Sequence, residues 1–157
     1  MITLYRNKYR GLTHRLKGYD YSSQGIYFVT INTKNKYHYL GKIVNGKIVL
    51  SETGLLAEKY WTEIPFHFSG TRLDEFVIMP DHIHGIIHIE SENKKEKMPY
   101  SLGLIINQFK RICTINAARK NIPLTWQPRY YDVIIRGSRQ LSRIRQYIRD
   151  NPSRKRV

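Results

Sequence analysis

The sequence predicts an α+β fold, an antiparallel sheet with helices packed on one face. Three observations carry that reading. Short runs of β-branched and aromatic residues alternate with stretches of helical apolar spacing, and an Asn-Gly dipeptide at positions 45 and 46 sits between two such runs, where a tight hairpin turn needs positive φ. The chain has 157 residues, 41% hydrophobic and 12% aromatic, which suffices for one core in a single domain without disulfides. No internal repeat or second domain is visible.

Residues 1–24 carry Arg6, Lys8, Arg10, His14, Arg15 and Lys17 without a clear period and read as a basic N-terminal arm. Gly25 to Thr33 is rich in β-branched and aromatic residues and reads as a central strand. His38 to Val44 and Lys47 to Leu50 flank the Asn-Gly turn and form a ribbon. Ser51 caps a helix with apolar Leu55, Leu56, Tyr60 and Ile64, ending near Pro65. Asp74 to Met79 and His82 to Ile89 are strands joined by the Pro80-Asp81 turn, an antiparallel hairpin. The polar stretch 90–97 reads as a mobile loop.

The longest helix runs from Ser101 to Lys120, with Leu102, Ile105, Ile106, Phe109, Ile112 and Cys113 on one side. Gln127 to Ile135 is a last extended segment. Gly137 or Ser138 opens a final helix that runs to about Asp150 and stops at Pro152, followed by a basic tail over 153–157. Cys113 stands alone, so an internal disulfide and a cysteine-rich zinc module are excluded, and it reads as an apolar filler.

Charge narrows the partner. Lys and Arg number 27 against 12 Asp and Glu, a formal net charge of +15 with a pI near 10.0, which points to a polyanion and first to nucleic acid. No segment approaches the ~18 apolar residues of a spanning helix and the N-terminus lacks a signal-peptide core, so no membrane partner and a cytoplasmic, nucleoid-associated location are expected. Lys110, Arg111, Arg129, Arg136, Arg139, Arg143, Arg145 and Arg149 are candidate phosphate contacts.

The chemistry-bearing stretch is Met79 to His88. Side chains alternate faces along a strand, so His82 and His84 point the same way and can grip one divalent metal while Ile83 enters the core. That is half a site. His88 faces the same side roughly 7 Å further along and reads as a supporting or surface residue. Asp81 either orients a histidine or merely forms the turn.

On the last helix Arg143, Tyr147 and Asn151 are spaced four apart and share a stripe, with Tyr147 at the edge of the face drawn by Leu141, Ile144 and Ile148. Asn151 precedes Pro152, which biases its backbone out of the α region; its side-chain oxygen could still face a metal. Tyr130 and Tyr131 are rival tyrosines that core packing explains, and Trp126 and Gln127 read as anchors of the strand.

The motifs Met-Pro-Asp-His-Ile-His at 79–84, Trp-Gln at 126–127, Tyr-Asp-Val-Ile-Ile-Arg at 131–136 and Arg-Gln-Tyr-Ile-Arg-Asp-Asn-Pro at 145–152 together resemble the REP-associated tyrosine transposases. These belong to the single-tyrosine HUH transposases, and the resemblance spans roughly residues 22 to 152. It implies a ferredoxin-like (RRM-like) core with the catalytic tyrosine on the last helix. His82 and His84 would be metal ligands, Asn151 the third ligand in a position where a glutamine is common, and Tyr147 the nucleophile. Mg²⁺ or Mn²⁺ suits the mixed N/O set.

The implied substrate is single-stranded DNA folded into palindromic hairpins, cut and rejoined through a 5′-phosphotyrosine. Two alternatives stay open: a domesticated protein that binds hairpins without cutting, and a nuclease whose metal activates water. The sequence leaves open whether the chain is a monomer or a homodimer.

Overall fold

In a computed structural model, residues 24–154 are described. The expected basic arm, apart from Gln24, and positions 155–157 of the tail lie outside them. The elements are β1 (Gly25–Asn32), β2 (Gly41–Val44), β3 (Lys47–Leu50), α1 (Glu52–Thr62), α2 (Ile64–His67), β4 (Thr71–Met79), β5 (His82–Ile89), α3 (Leu102–Arg119), β6 (Tyr131–Ile135) and α4 (Ser138–Asp150), with a 3-10 turn at Asn151–Ser153. The four long strands form one sheet in the order β4-β5-β1-β6, every neighbouring pair antiparallel. Strands and crossovers follow the β-α-β-β-α-β pattern of ferredoxin-like folds.

The ribbon β2-β3 turns at Asn45 and Gly46, with φ of 51° and 75°, the left-handed pair that the dipeptide predicts. Ser51 caps α1 by accepting from the Gly54 N–H at 3.0 Å, and Ser101 caps α3 through the Leu104 N–H at 3.1 Å. Leu55 points to solvent, and the face that α1 buries is made by Leu56, Ala57 and Trp61. Trp61 packs closely on β5 because position 85 is glycine; a Cβ there would meet the indole Cζ2 at 2.3 Å.

The α+β class and the antiparallel sheet are as expected, but the helices do not share one face. Tyr27, Val29, Ile31, Ile83, Ile87 and Ile89 face α1 and α3 in the larger core. Phe28, Val77, Met79, Ile86, Val133 and Ile135 face the other way, where Ile144, Tyr147 and Ile148 of α4 cover them. The physical reason is the strands themselves. β5 is buried along all eight residues and β1 along six, so both faces of the sheet need cover.

Candidate active site

His82 and His84 emerge on the face covered by α4, with ring centroids 4.5 Å apart and planes inclined by 67°. Both are buried. The Nδ1–H of His82 donates to the Asp81 carboxylate at 2.6 Å, and the Thr30 hydroxyl lies 2.8 Å from Nδ1 of His84. A carboxylate can only accept, so Nδ1 of His82 carries a proton, and in the neutral ring Nε2 is then the nitrogen with the lone pair. Asp81 therefore does more than shape the turn. Thr30, directly across β1 from His84, escaped sequence reading because only strand register reveals it.

Tyr147 packs against His84 and Phe28, with centroids 5.3 Å and 6.2 Å away. It is buried, not at the edge of the helix's core face where the spacing put it. The Arg154 guanidinium lies 5.2 Å from the Tyr147 ring centroid, so a residue of the basic tail belongs to the site's wall. Asn151, also buried, has φ −56° and ψ −46°, squarely α-helical despite the proline that follows. Pro152 disfavours that conformation without forbidding it, and the 3-10 turn over Asn151–Ser153 holds it there.

His88 is buried and spoken for on both nitrogens. Arg72 donates to Nδ1 at 2.9 Å, which makes Nδ1 the acceptor and leaves Nε2–H to donate to Asp74 at 2.8 Å. Asp74 also takes both arms of Arg145, at 2.8 and 2.6 Å, while Arg149 donates twice to Glu75 at 3.0 and 2.9 Å. The hydrogen bonds from Arg145 hold the Asp74 carboxyl far below the usual carboxylate range, against the opposing pull of burial. The same pair raises the Arg145 guanidinium above its ordinary value.

Arg145 and Arg149 thus dock α4 on β4. Lys110 is engaged as well, donating to the carbonyls of Gln127 and Arg129 at 2.8 and 3.0 Å, and burial lowers its ammonium. Arg111, Arg129, Arg136, Arg139 and Arg143 are exposed on the surface.

Trp126 is an anchor, its indole N–H donating to the Lys110 carbonyl at 3.2 Å, and Gln127 pairs through its N–H with the Asn32 carbonyl at 2.9 Å. Tyr130 packs on the larger core. Tyr131 does not; its register opposite Thr30 places it on the face of the histidines. Burial pushes the Cys113 thiol up to about 12, as befits a filler.

Among the described residues no three His, Cys, Asp or Glu side chains converge on one point. The candidate donors on this face are the two imidazoles, and Asn151 is buried at the end of the tyrosine helix. The imidazole pair fits a divalent metal in one respect: both rings have Nδ1 turned toward supporting oxygens, as ligating histidines do.

An RRM-like sheet with a His-x-His strand beneath a helix-borne tyrosine has the layout of an HUH transposase. The chain belongs to the IS200-like transposase family, whose model matches residues 23–151. It is 40% identical over 155 residues to an uncharacterized protein of Haemophilus influenzae, covering 88% of this chain and 86% of that one.

Two solved structures share the fold. The REP-associated tyrosine transposase bound to a REP hairpin aligns with a TM-score of 0.64 at 20% identity, over 88% of this chain and 72% of that one. A candidate transposase from Deinococcus radiodurans R1 aligns with a TM-score of 0.51 at 15% identity, over 87% of this chain and 95% of that one. No helix among the described residues is long and apolar enough to cross a membrane.

Proposed function

We propose that the chain is a metal-dependent transposase that cuts and rejoins hairpin-forming single-stranded DNA, with Tyr147 as nucleophile. The observation that carries this reading is the buried Tyr147 ring packed at a tilt against His84, one of a histidine pair whose Nδ1 atoms face Asp81 and Thr30. A tyrosine buried only for packing has no need of an ordered imidazole pair on the face it covers.

His82, His84 and Asn151 would hold Mg²⁺ or Mn²⁺. When bound, such an ion supplies positive charge against the non-bridging oxygens of the scissile phosphate. Because the three donors are neutral, they leave that charge undiminished for the DNA.

Tyr147 Oη attacks phosphorus, the bond to the 3′ oxygen breaks, and the phenol proton is lost as the 3′ oxygen gains one. The products are a 5′-phosphotyrosine and a free 3′-hydroxyl. The new phosphodiester keeps the energy of the old, so attack by a 3′-hydroxyl reverses the step without ATP. The hairpin preference comes to this chain by its likeness to the REP-hairpin complex.

The test is incubation with a labelled hairpin oligonucleotide and Mn²⁺, followed by denaturing electrophoresis. A protein-DNA adduct that vanishes in Tyr147→Phe is expected. Cleavage that survives the substitution would instead assign the attack to water, and binding without cleavage would favour a non-catalytic hairpin binder.

A further inference from the structure

Residues 33–40 form a loop that grips the turn in front of His82 at both ends. The Thr33 N–H and hydroxyl both donate to the Asp81 carbonyl, at 3.0 and 3.1 Å, and the Leu40 N–H donates to the Pro80 carbonyl at 3.0 Å. A third tie runs from the Lys34 N–H to the Thr125 carbonyl at 2.9 Å, and Thr33 is bridged to Trp126. The loop is thus fastened to the frame that carries the histidines.

Its backbone is strained where it is most exposed. Asn35 and Lys36 have φ of 54° and 58°, two consecutive non-glycine residues in the left-handed region. Asparagine tolerates that region; lysine has no local reason to occupy it. The Lys36 ammonium reaches the side-chain oxygen of Asn32, the residue paired across the sheet with His82. Beside it Tyr37 is 58% exposed, its ring edge-on to Tyr39 at 5.8 Å. Strain held by several outside bonds, with an exposed aromatic at its crest and a cation reaching the histidine face, is a feature that contact sites share.

We infer that this loop holds the unpaired strand beside the scissile phosphate, with Lys36 on a backbone phosphate and Tyr37 stacked on a base. The inference rests on the proposed transposase reading and names the part of the chain that seats its substrate. The chemistry is that of sequence-tolerant single-strand binding, in which a cation tracks the backbone and a ring takes a base face. A double helix offers no such base face, so the loop selects the single-stranded flank and not the hairpin stem.

The experiment compares a blunt DNA hairpin with the same hairpin carrying an oligothymidylate flank, both fluorescein-labelled, by anisotropy over a range of salt. The wild-type chain is expected to bind the flanked probe more tightly. Tyr37→Ala should lose on the order of tenfold for the flanked probe only, and Tyr37→Phe should keep it, since stacking needs the ring and not the hydroxyl. Lys36→Ala should reduce the slope of log affinity against log salt by about 0.7, and Lys36→Arg should restore it.

Lys36→Gly guards against a folding artefact. Glycine suits the left-handed backbone, which offsets the lost contact with Asn32, so this variant should stay folded with a melt close to wild type and still lose the flank preference. Equal binding of both probes by the wild-type chain, or variants that keep its flank preference and salt slope, would overturn the inference. The tyrosine adduct is read separately, so an adduct formed without flank preference would sink the loop's role and leave the transposase reading standing.

Discussion

Asp81 and Thr30 hold the two imidazoles by their Nδ1 atoms and so set the orientation of each ring. An imidazole without its Nδ1 partner is free to flip or change tautomer, and supporting partners of this kind are typically worth 10–100-fold in metal affinity. Asp81→Ala should therefore weaken Mn²⁺ binding within about that range, measured by calorimetric titration on the folded protein. Gly85 is the opposite case. Gly85→Ala drives a methyl into Trp61 and should cost about 2 kcal/mol or more in urea unfolding, without touching the histidines. The His-x-His pair was legible because strand alternation alone puts both rings on one side. Thr30 and Arg154 were not, since one depends on strand register and the other on where the chain turns after α4.

Helix α4 shows what periodicity can and cannot tell. The spacing of Ile144, Tyr147 and Ile148 identifies an apolar stripe, and the stripe is real; it does not say which side of the sheet receives it. The clue was in the strands, where Phe28 beside Tyr27 and Ile86 beside Ile87 make adjacent positions apolar and demand two covered faces. Nor does a count of arginines distinguish those that meet DNA from those that lock the helix. Arg145 finds Asp74 from 71 residues away.

That lock makes a stability prediction. Asp74→Asn should destabilise the fold by about 2 kcal/mol at neutral pH, because it strips the charged partner from Arg145. The folded-state carboxyl is held below its ordinary value near ~3.9, so the unfolded chain takes up the proton first. The contribution is complete at neutral pH and fades as pH falls below that ordinary value toward the depressed one. Thermal melts between about pH 6 and about pH 2 should show wild type losing more stability than the Asn variant.

At the scale of the whole molecule, the net charge of +15 is divided between cations that build the protein and cations that meet solvent. Arg136→Ala and Arg139→Ala, both at exposed positions, should weaken DNA binding and flatten its salt dependence while leaving unfolding unchanged. Lys110→Ala should do the reverse, lowering stability by removing the donor to Gln127 and Arg129 with little effect on the salt slope. Composition points to a polyanion partner but does not tell which of the chosen residues the fold already uses, and Lys110, Arg145 and Arg149 are engaged within the protein.

A transposase of this kind must become bonded to DNA through Tyr147, and mass spectrometry of a trypsin digest of the trapped adduct reads that bond. A 5′-phosphodeoxynucleotide on Tyr147, within the peptide Gln146–Arg149, is expected. A nucleotide found on Tyr131, which shares the face of the histidines, or cut DNA bearing a free 5′-phosphate with no modified peptide, would contradict it.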